Sequence, residues 1–155
     1  MSKICCFTGH RELYGKDIPK LYINLYNTVR ELINQGYTDF RAGGAIGFDT
    51  IAASCILDLK REFPNIKLHL ILPCENQDNY FSNFEKKAYH YILQHADTVS
   101  FVRKNYFNGV MAMRNRALVN GADICVAYLK TLKGGTYQTV NMARKAKVQI
   151  INIAK

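Results

Sequence analysis

Apolar and polar positions along this chain alternate between two rhythms. Short runs rich in β-branched, aromatic and aliphatic residues, at 3–7, 39–42, 67–72, 98–102, 122–128 and 148–153, read as six strands. Between them, apolar residues recur every three or four positions. Ile18, Leu21, Tyr22, Leu25, Val29, Leu32 and Ile33 make one helical stripe, closed by Gly36. Ile51, Ala52, Cys55, Ile56 and Leu59 mark the inward face of a second helix over 48–63, broken by Pro64 and Asn65. Segments 80–96, 110–120 and 136–145 complete a set of five helices.

Strict alternation of strand and helix predicts an α/β fold: a mostly parallel six-stranded sheet with helices on both faces, in three layers. Right-handed crossovers then bring every strand-to-helix loop to one edge of the sheet, where such folds bind ligands. At 155 residues, with no linker, repeat or low-complexity tract, the chain is expected to form one domain. No stretch approaches the roughly 20 apolar residues of a membrane span, and the N-terminus does not resemble a signal peptide. Cys5, Cys6, Cys55, Cys74 and Cys125 are odd in number, mostly lie inside apolar runs and form no C-x-x-C. They read as buried, reduced thiols, with no metal site expected, and a cytoplasmic location follows.

Charge changes the picture. The net charge is +9, yet residues 1–100 hold 11 basic and 11 acidic side chains. Residues 101–155 carry 10 basic side chains against a single acid, Asp123. Such asymmetry predicts an anionic partner near the C-terminal half, with a solvated basic face as the plainer alternative.

The loops predicted to converge hold a consistent chemistry. Strand one leads into Thr8, Gly9, His10 and Arg11. Strand two leads into Arg41-Ala-Gly-Gly-Ala-Ile-Gly-Phe-Asp49, with Gly43, Gly44, Ala45 and Gly47 as its turn. Strand three opens to Pro73, Cys74, Glu75, Asn76 and Gln77; strand four to a loop ending in Arg114 and Asn115. Strand five opens to Lys133-Gly-Gly-Thr-Tyr-Gln-Thr139, placing Gly134, Gly135, Thr136 and Thr139 at a helix start. Glycine-rich turns before helices expose backbone N–H groups to a phosphate, although tight turns favour glycine for steric reasons alone. Asp49 serves equally as a ribose-hydroxyl acceptor or a helix cap. Glu75 reads as a base or ribose contact, as a general base, or as an ion-pair partner of Arg11 or Arg114.

Taken together, Phe7-Thr-Gly-His-Arg11, Gly43-Gly-Ala-x-Gly-x-Asp49, Pro73-Cys-Glu-x-Gln77, Met113-Arg-Asn115 and Gly134-Gly-Thr-x-x-Thr139 resemble the YpsA-like branch of the SLOG superfamily. That superfamily also holds the DNA-processing protein DprA/Smf and the "lonely guy" phosphoribohydrolases. The resemblance runs end to end. It implies a Rossmann-like fold, a nucleotide or nucleotide-derived ligand with no further cofactor, and assembly into homo-oligomers. In the phosphoribohydrolases an Arg after a Met-rich turn and a Glu after the second glycine motif form the catalytic pair. Arg114 matches the first, but Val140 stands where the Glu would be, and a valine transfers no proton. Two further positions expected to be acidic in the YpsA-like branch are not: Tyr128-Leu-Lys130 follows strand five, and Asn120 ends helix four.

These departures favour binding of a nucleotide, NAD- or ADP-ribose-type compound or cyclic nucleotide signal without turnover, as in a sensor or a sequestering protein of phage defence. A phosphoribohydrolase or glycosyl-transfer activity resting on Glu75 and Arg114 is the alternative. DNA binding, through Tyr106, Phe107 and Tyr137 among Arg103, Lys104 and Lys133, ranks third.

Overall fold

The computed structural model describes residues 2–154. Six strands form one sheet: β1 (Lys3–Gly9), β2 (Tyr37–Ala42), β3 (Lys67–Leu72), β4 (Thr98–Phe101), β5 (Ile124–Tyr128) and β6 (Gln149–Asn152). All neighbours pair in parallel, in the order β4-β3-β2-β1-β5-β6. Five helices alternate with them: α1 (Ile18–Asn34), α2 (Phe48–Leu59), α3 (Asn83–His95), α4 (Val110–Val119) and α5 (Gly135–Lys145). The chain winds outward from β1 to β4, crosses back, and winds the other way through β5 and β6. Strand order therefore reverses between β1 and β5. Right-handed crossovers put α1–α3 on one face and α4–α5 on the other, and α1 packs on α2, α2 on α3, and α4 on α5. The result is a three-layer, Rossmann-like α/β fold.

The two faces are packed differently. Successive strand residues point to opposite sides, so the adjacent Cys5 and Cys6 enter separate clusters. Cys5 and Phe7 join Phe40, Phe48, Leu68, Leu70 and Leu72 beneath α1–α3. Cys6 meets the smaller set of Cys125, Ala143 and Leu118 beneath α4–α5. Every residue of β5 is buried, as a strand covered on both faces requires. The edge strand β4 is exposed along its length. All five cysteines are buried and unpaired, and burial pushes the Cys55 thiol up to about 12.

Three elements of this packing position the site. The Phe48 ring at the start of α2 stacks on Tyr128 at 6.0 Å and meets Phe7 edge-on at 6.4 Å, tying α2 to β1 and β5. A Cβ on Gly9 would fall 2.3 Å from that ring, so glycine is needed for the ring to lie there. Arg41 of β2 reaches the C-terminal end of α4, where Nη1 donates to the carbonyls of Leu118 (3.0 Å) and Asn120 (2.6 Å). A cation there satisfies the orphan carbonyls and complements the helix dipole.

Two helices depart from the sequence expectation. The second helix, α2, expected over 48–63, ends at Leu59, where the Arg61 N–H turns back to the Asp58 carbonyl and the chain passes into turns over 60–62, and α3 starts late. A helix over 80–96 is predicted; Gln77–Tyr80 instead forms a 3-10 turn and α3 begins at Asn83. The cause is a capping box. Ser82 Oγ accepts from the Glu85 N–H (3.1 Å), and the Glu85 carboxylate accepts from the Ser82 N–H (2.8 Å). Among the aromatics of α3 only Tyr89 is buried. Among the described residues no helix is long and apolar enough to cross a membrane.

Candidate functional site

Where the strand order reverses, the loops after β1 and β5 diverge and leave a cleft of about 260 Å3 at the C-terminal edge of the sheet. Residues from four of the five converging loops line it. Thr8, Gly9, His10 and Arg11 come from the end of β1, Ala45 and Asp49 from the start of α2, and Met111, Arg114 and Asn115 from α4. Lys133, Gly134, Gly135, Thr136 and Thr139 come from the start of α5.

The α5 end is built to meet an anion. Gly134 precedes the helix at φ 91° and ψ −174°, a backbone region open to glycine, and among the described residues no side chain caps the helix. The first intrahelical bond runs from Gln138 N–H to the Gly134 carbonyl, at 3.1 Å. Among the described residues, the N–H groups of Gly135, Thr136 and Tyr137 before it have no acceptor. Those orphan donors and the positive end of the helix face the cleft. The Thr139 hydroxyl is already committed to the Gly135 carbonyl at 2.9 Å, so of the two threonines that α5 brings to the cleft Thr136 is the one left to offer a hydroxyl.

The same cleft is lined by Arg114, a residue only 5% exposed. Its Nε donates to Asn115 Oδ1 at 2.9 Å and its Nη1 to the Gly43 carbonyl. Among the described residues Nη2 makes no hydrogen bond. Burial pulls the guanidinium below its ordinary value, partly offset by the nearby Asp49 carboxylate. Burial likewise raises the Asp49 carboxyl above the usual range, against the pull of Arg114 and of the Ala45 N–H, which donates to Oδ2 at 3.2 Å. Among the described residues Asp49 is the one acidic side chain lining the cleft, against Arg11, Arg114 and Lys133, so an anion is favoured there.

His10 bridges the two diverging loops. Its Nε2 accepts from the Lys130 backbone N–H at 2.8 Å, which places the proton of the neutral ring on Nδ1. Burial, and then the charge of Lys130, pull its pKa below the ordinary 6.5. His10 is thus a loop clasp as well as a cleft residue, a role that sequence reasoning missed because its partner is a backbone group 120 positions away.

The first glycine-rich turn behaves differently from the second. Gly43, Gly44 and Gly47 do not line the cleft. A Cβ on Gly43 would sit 2.5 Å from Arg114 Nη1, on Gly44 2.3 Å from Leu72 Cδ2, and on Gly47 2.2 Å from the Arg11 carbonyl oxygen. The Phe48 N–H at the start of α2 donates to the His10 carbonyl at 3.1 Å. This turn is occupied by protein, and Asp49 is an anchor within it.

The loop after β3 lies farther along the edge. Pro73 and Gln77 line a second cleft, of about 580 Å3, which shares Arg11, Ala45 and Met111 with the first. Glu75 is exposed and lines neither; its N–H donates to the Lys104 carbonyl at 3.0 Å. Among the described residues Glu75 pairs with neither Arg11 nor Arg114. Val140 is buried against Ala127 and Leu129. Met111, absent from the sequence expectations, lies three residues before Arg114 on the same helical face, a spacing that would have indicated it.

Known proteins agree with this architecture. A UPF0398 protein of Halalkalibacterium halodurans is 30% identical over 121 residues, covering 76% of this chain and 64% of its own length. The SPbeta prophage-derived protein YoqJ of Bacillus subtilis is 29% identical over 139 residues and 81% of each chain. Among solved structures, DNA processing protein A of Helicobacter pylori superposes with a TM-score of 0.68 at 21% identity, over 96% of this chain and 63% of that one. The Streptococcus pneumoniae counterpart gives 0.65 at 15%, over 96% and 49%. The chain thus spans less than two thirds of the first of these relatives and of both solved chains. The family model YpsA, described as the YspA SLOG family, matches residues 5–153, and the chain belongs to that family.

Proposed function

We propose that this protein binds a nucleotide or nucleotide-derived small molecule through its phosphate, at the cleft between β1 and β5, and does not turn it over. One observation carries the reading: the uncapped α5 N-terminus and the buried Arg114 line one cleft, together with Arg11 and Lys133. Backbone N–H donors and a guanidinium with an open Nη2 suit the oxygens of a phosphate. Binding without chemistry is favoured by the acid–base inventory. Val140 lies in an apolar cluster, Glu75 stands outside both clefts, and Asp49 is tied into the first glycine-rich turn. Such a protein would act as a sensor or as a trap for its ligand.

The test uses the purified protein with AMP, ADP-ribose, NAD and cyclic dinucleotides, followed by chromatography of the free and the heat-released ligand. One compound retained and released intact is the expected result. A product peak growing with time would make the protein an enzyme. Arg11→Ala, at an exposed position, is expected to weaken binding about tenfold while leaving the fold intact.

Single-stranded DNA is the second reading. The H. pylori structure is described as showing a single-stranded DNA binding mode, and here exposed Tyr106 and Phe107 lie near Arg103 and Lys104 in the loop after β4. An oligonucleotide that competes with mononucleotide, with affinity falling steeply as salt rises, would favour it.

A further inference from the structure

Away from both clefts, three polar side chains form a chain across adjacent strands. Asp39 is the third residue of β2, His69 the third of β3 and Thr98 the first of β4. Side chains alternate along a strand. Phe40, Leu68 and Leu70 point into the core beneath α1–α3, so Asp39 and His69 take the opposite face, and Thr98 pairs in register with His69. His69 Nδ1 lies 2.7 Å from Thr98 Oγ1, and its Nε2 2.7 Å from Asp39 Oδ1. The Thr38 hydroxyl donates to Asp39 Oδ2 at 2.8 Å. Solvent reaches the chain: Thr98 is exposed, and the His69 and Asp39 side chains are 23% and 18% exposed. Burial opposes the charge on Asp39, but hydrogen bonds from His69 and Thr38 outweigh it and hold the carboxyl below its usual range. An ionised carboxylate only accepts. Nε2 therefore carries the ring proton, Nδ1 offers a lone pair, and the Thr98 hydroxyl donates to it. Nucleophile, base and orienting acid thus stand in the order that activates a hydroxyl.

We propose that Thr98 is a nucleophile, with His69 as its base and Asp39 as the positioning residue, that takes acyl groups from activated esters or thioesters. Thr98 Oγ1 attacks the acyl carbon while its proton passes to His69 Nδ1. The alcohol or thiol then leaves with that proton, and the acyl group remains on Oγ1. Water attacks the acyl carbon next, giving its proton to Nδ1, and the carboxylic acid departs as the proton returns to Oγ1. Asp39 balances the imidazolium present between these transfers. Thr98 stands on the edge strand, whose outer side carries unpaired backbone N–H groups as donors for the oxyanion. The site shares no lining residue with the phosphate cleft and is independent of it.

The test follows nitrophenolate release from p-nitrophenyl acetate by the full chain, with acid quenching and peptide mapping to locate any acetyl group. Release is expected to depend on Thr98, with the trapped acetyl group on the peptide that holds it. Thr98→Val keeps a β-branched residue at an exposed strand position, so it preserves the fold and is expected to remove the activity. Thr98→Ser, which restores a hydroxyl, should retain it. His69→Gln still hydrogen-bonds to both neighbours but takes up no proton, and is expected to slow release about 100-fold. Asp39→Asn should slow it as well, and Asp39→Glu, which restores a carboxylate, should recover part of the rate. Urea unfolding of each variant separates lost chemistry from lost fold. No release above the buffer rate would overturn the proposal. So would release that Thr98→Val leaves unchanged, or acetyl groups found only on lysines and cysteines. Acylation of Thr98 that folded His69→Gln does not slow would overturn the role of His69 as base.

Discussion

A Cβ added at Gly43, Gly44 or Gly47 would meet another atom at 2.2–2.5 Å, whereas at Gly134 or Gly135 it would meet nothing of the described residues within 4 Å. Both turns join a parallel strand to a helix, and both contain paired glycines. The first is filled by the chain itself: by Arg114, by Leu72 and by the backbone of Arg11. The second is open. A glycine pair is therefore ambiguous evidence for a phosphate, because the lack of a side chain serves close packing as well as ligand approach. What separates the two uses is whether the space is already taken. Here one turn builds the wall of the site and the other presents its donors.

The largest effect is expected at the wall. Gly47 has φ 79° and ψ −125°, a backbone region that L residues avoid, and its Cβ would overlap the Arg11 carbonyl oxygen. Strain and overlap together predict that Gly47→Ala loses about 4 kcal/mol in urea unfolding, a large part of the stability of a domain this size. A loss below about 1 kcal/mol would mean that the wall is plastic and the comparison false.

Next comes the residue that spans both regions. Arg114 stands on the α4–α5 face and reaches over the sheet edge to the Gly43 carbonyl and toward Asp49. Arg114→Gln is expected to cost about 2–4 kcal/mol at neutral pH, because a buried carboxylate loses its nearest balancing charge. The pH dependence has a definite sign. Asp49 already has a raised folded pKa and would be raised further, so its folded form gains protons that the unfolded chain gives up. The deficit should shrink as pH falls from 7 towards 4. Adding Asp49→Asn should recover part of it, a coupling read from the double-mutant cycle.

Gly135→Ala sharpens the comparison at the open turn. Gly135 is the first residue of α5, with no strained φ and no neighbour for a Cβ to strike. Alanine there should leave stability unchanged or raise it by about 0.5 kcal/mol. Phosphate ligands should nonetheless bind several-fold more weakly, since the methyl group stands where backbone meets anion. Stability and binding would then move in opposite directions, which no substitution at Gly43, Gly44 or Gly47 is expected to do.

The two turns also mark the limit of what the sequence discloses. Hydrophobic rhythm located every strand and helix to within a few residues, because period and breaker residues are local signals. The late start of α3 was legible too, in the Ser82-x-x-Glu85 box, which lies inside what otherwise reads as continuous helix. The loops that converge follow from alternation and handedness alone. Whether a given loop residue faces the ligand does not. Gly47 depends on Arg11, Gly43 on Arg114, and His10 on Lys130, pairs that only the tertiary fold brings together. Glu75 shows the same limit from the other side: its neighbours Pro73 and Gln77 line the second cleft, yet the chain carries Glu75 out to solvent.

The smallest effect tests how the two loops are held apart. His10 Nε2 accepts from the Lys130 N–H and must stay unprotonated to do so. Its folded pKa lies below the unfolded value of about 6.5, so the unfolded chain binds the proton first. His10 is therefore expected to contribute a loss of stability as pH falls below about 6.5 and through the folded pKa, with nothing changing above it. His10→Gln keeps an acceptor and does not titrate, so its stability profile should lack this component. Bound phosphate adds a further condition. An anion near the ring favours its charged form, which raises the folded pKa and shrinks the acid loss. Saturating ligand should therefore flatten the profile of the unsubstituted protein in this window. The same ligand at the same concentration should flatten it less in Gly135→Ala, where the anion is held poorly, while the unliganded profiles of the two proteins coincide.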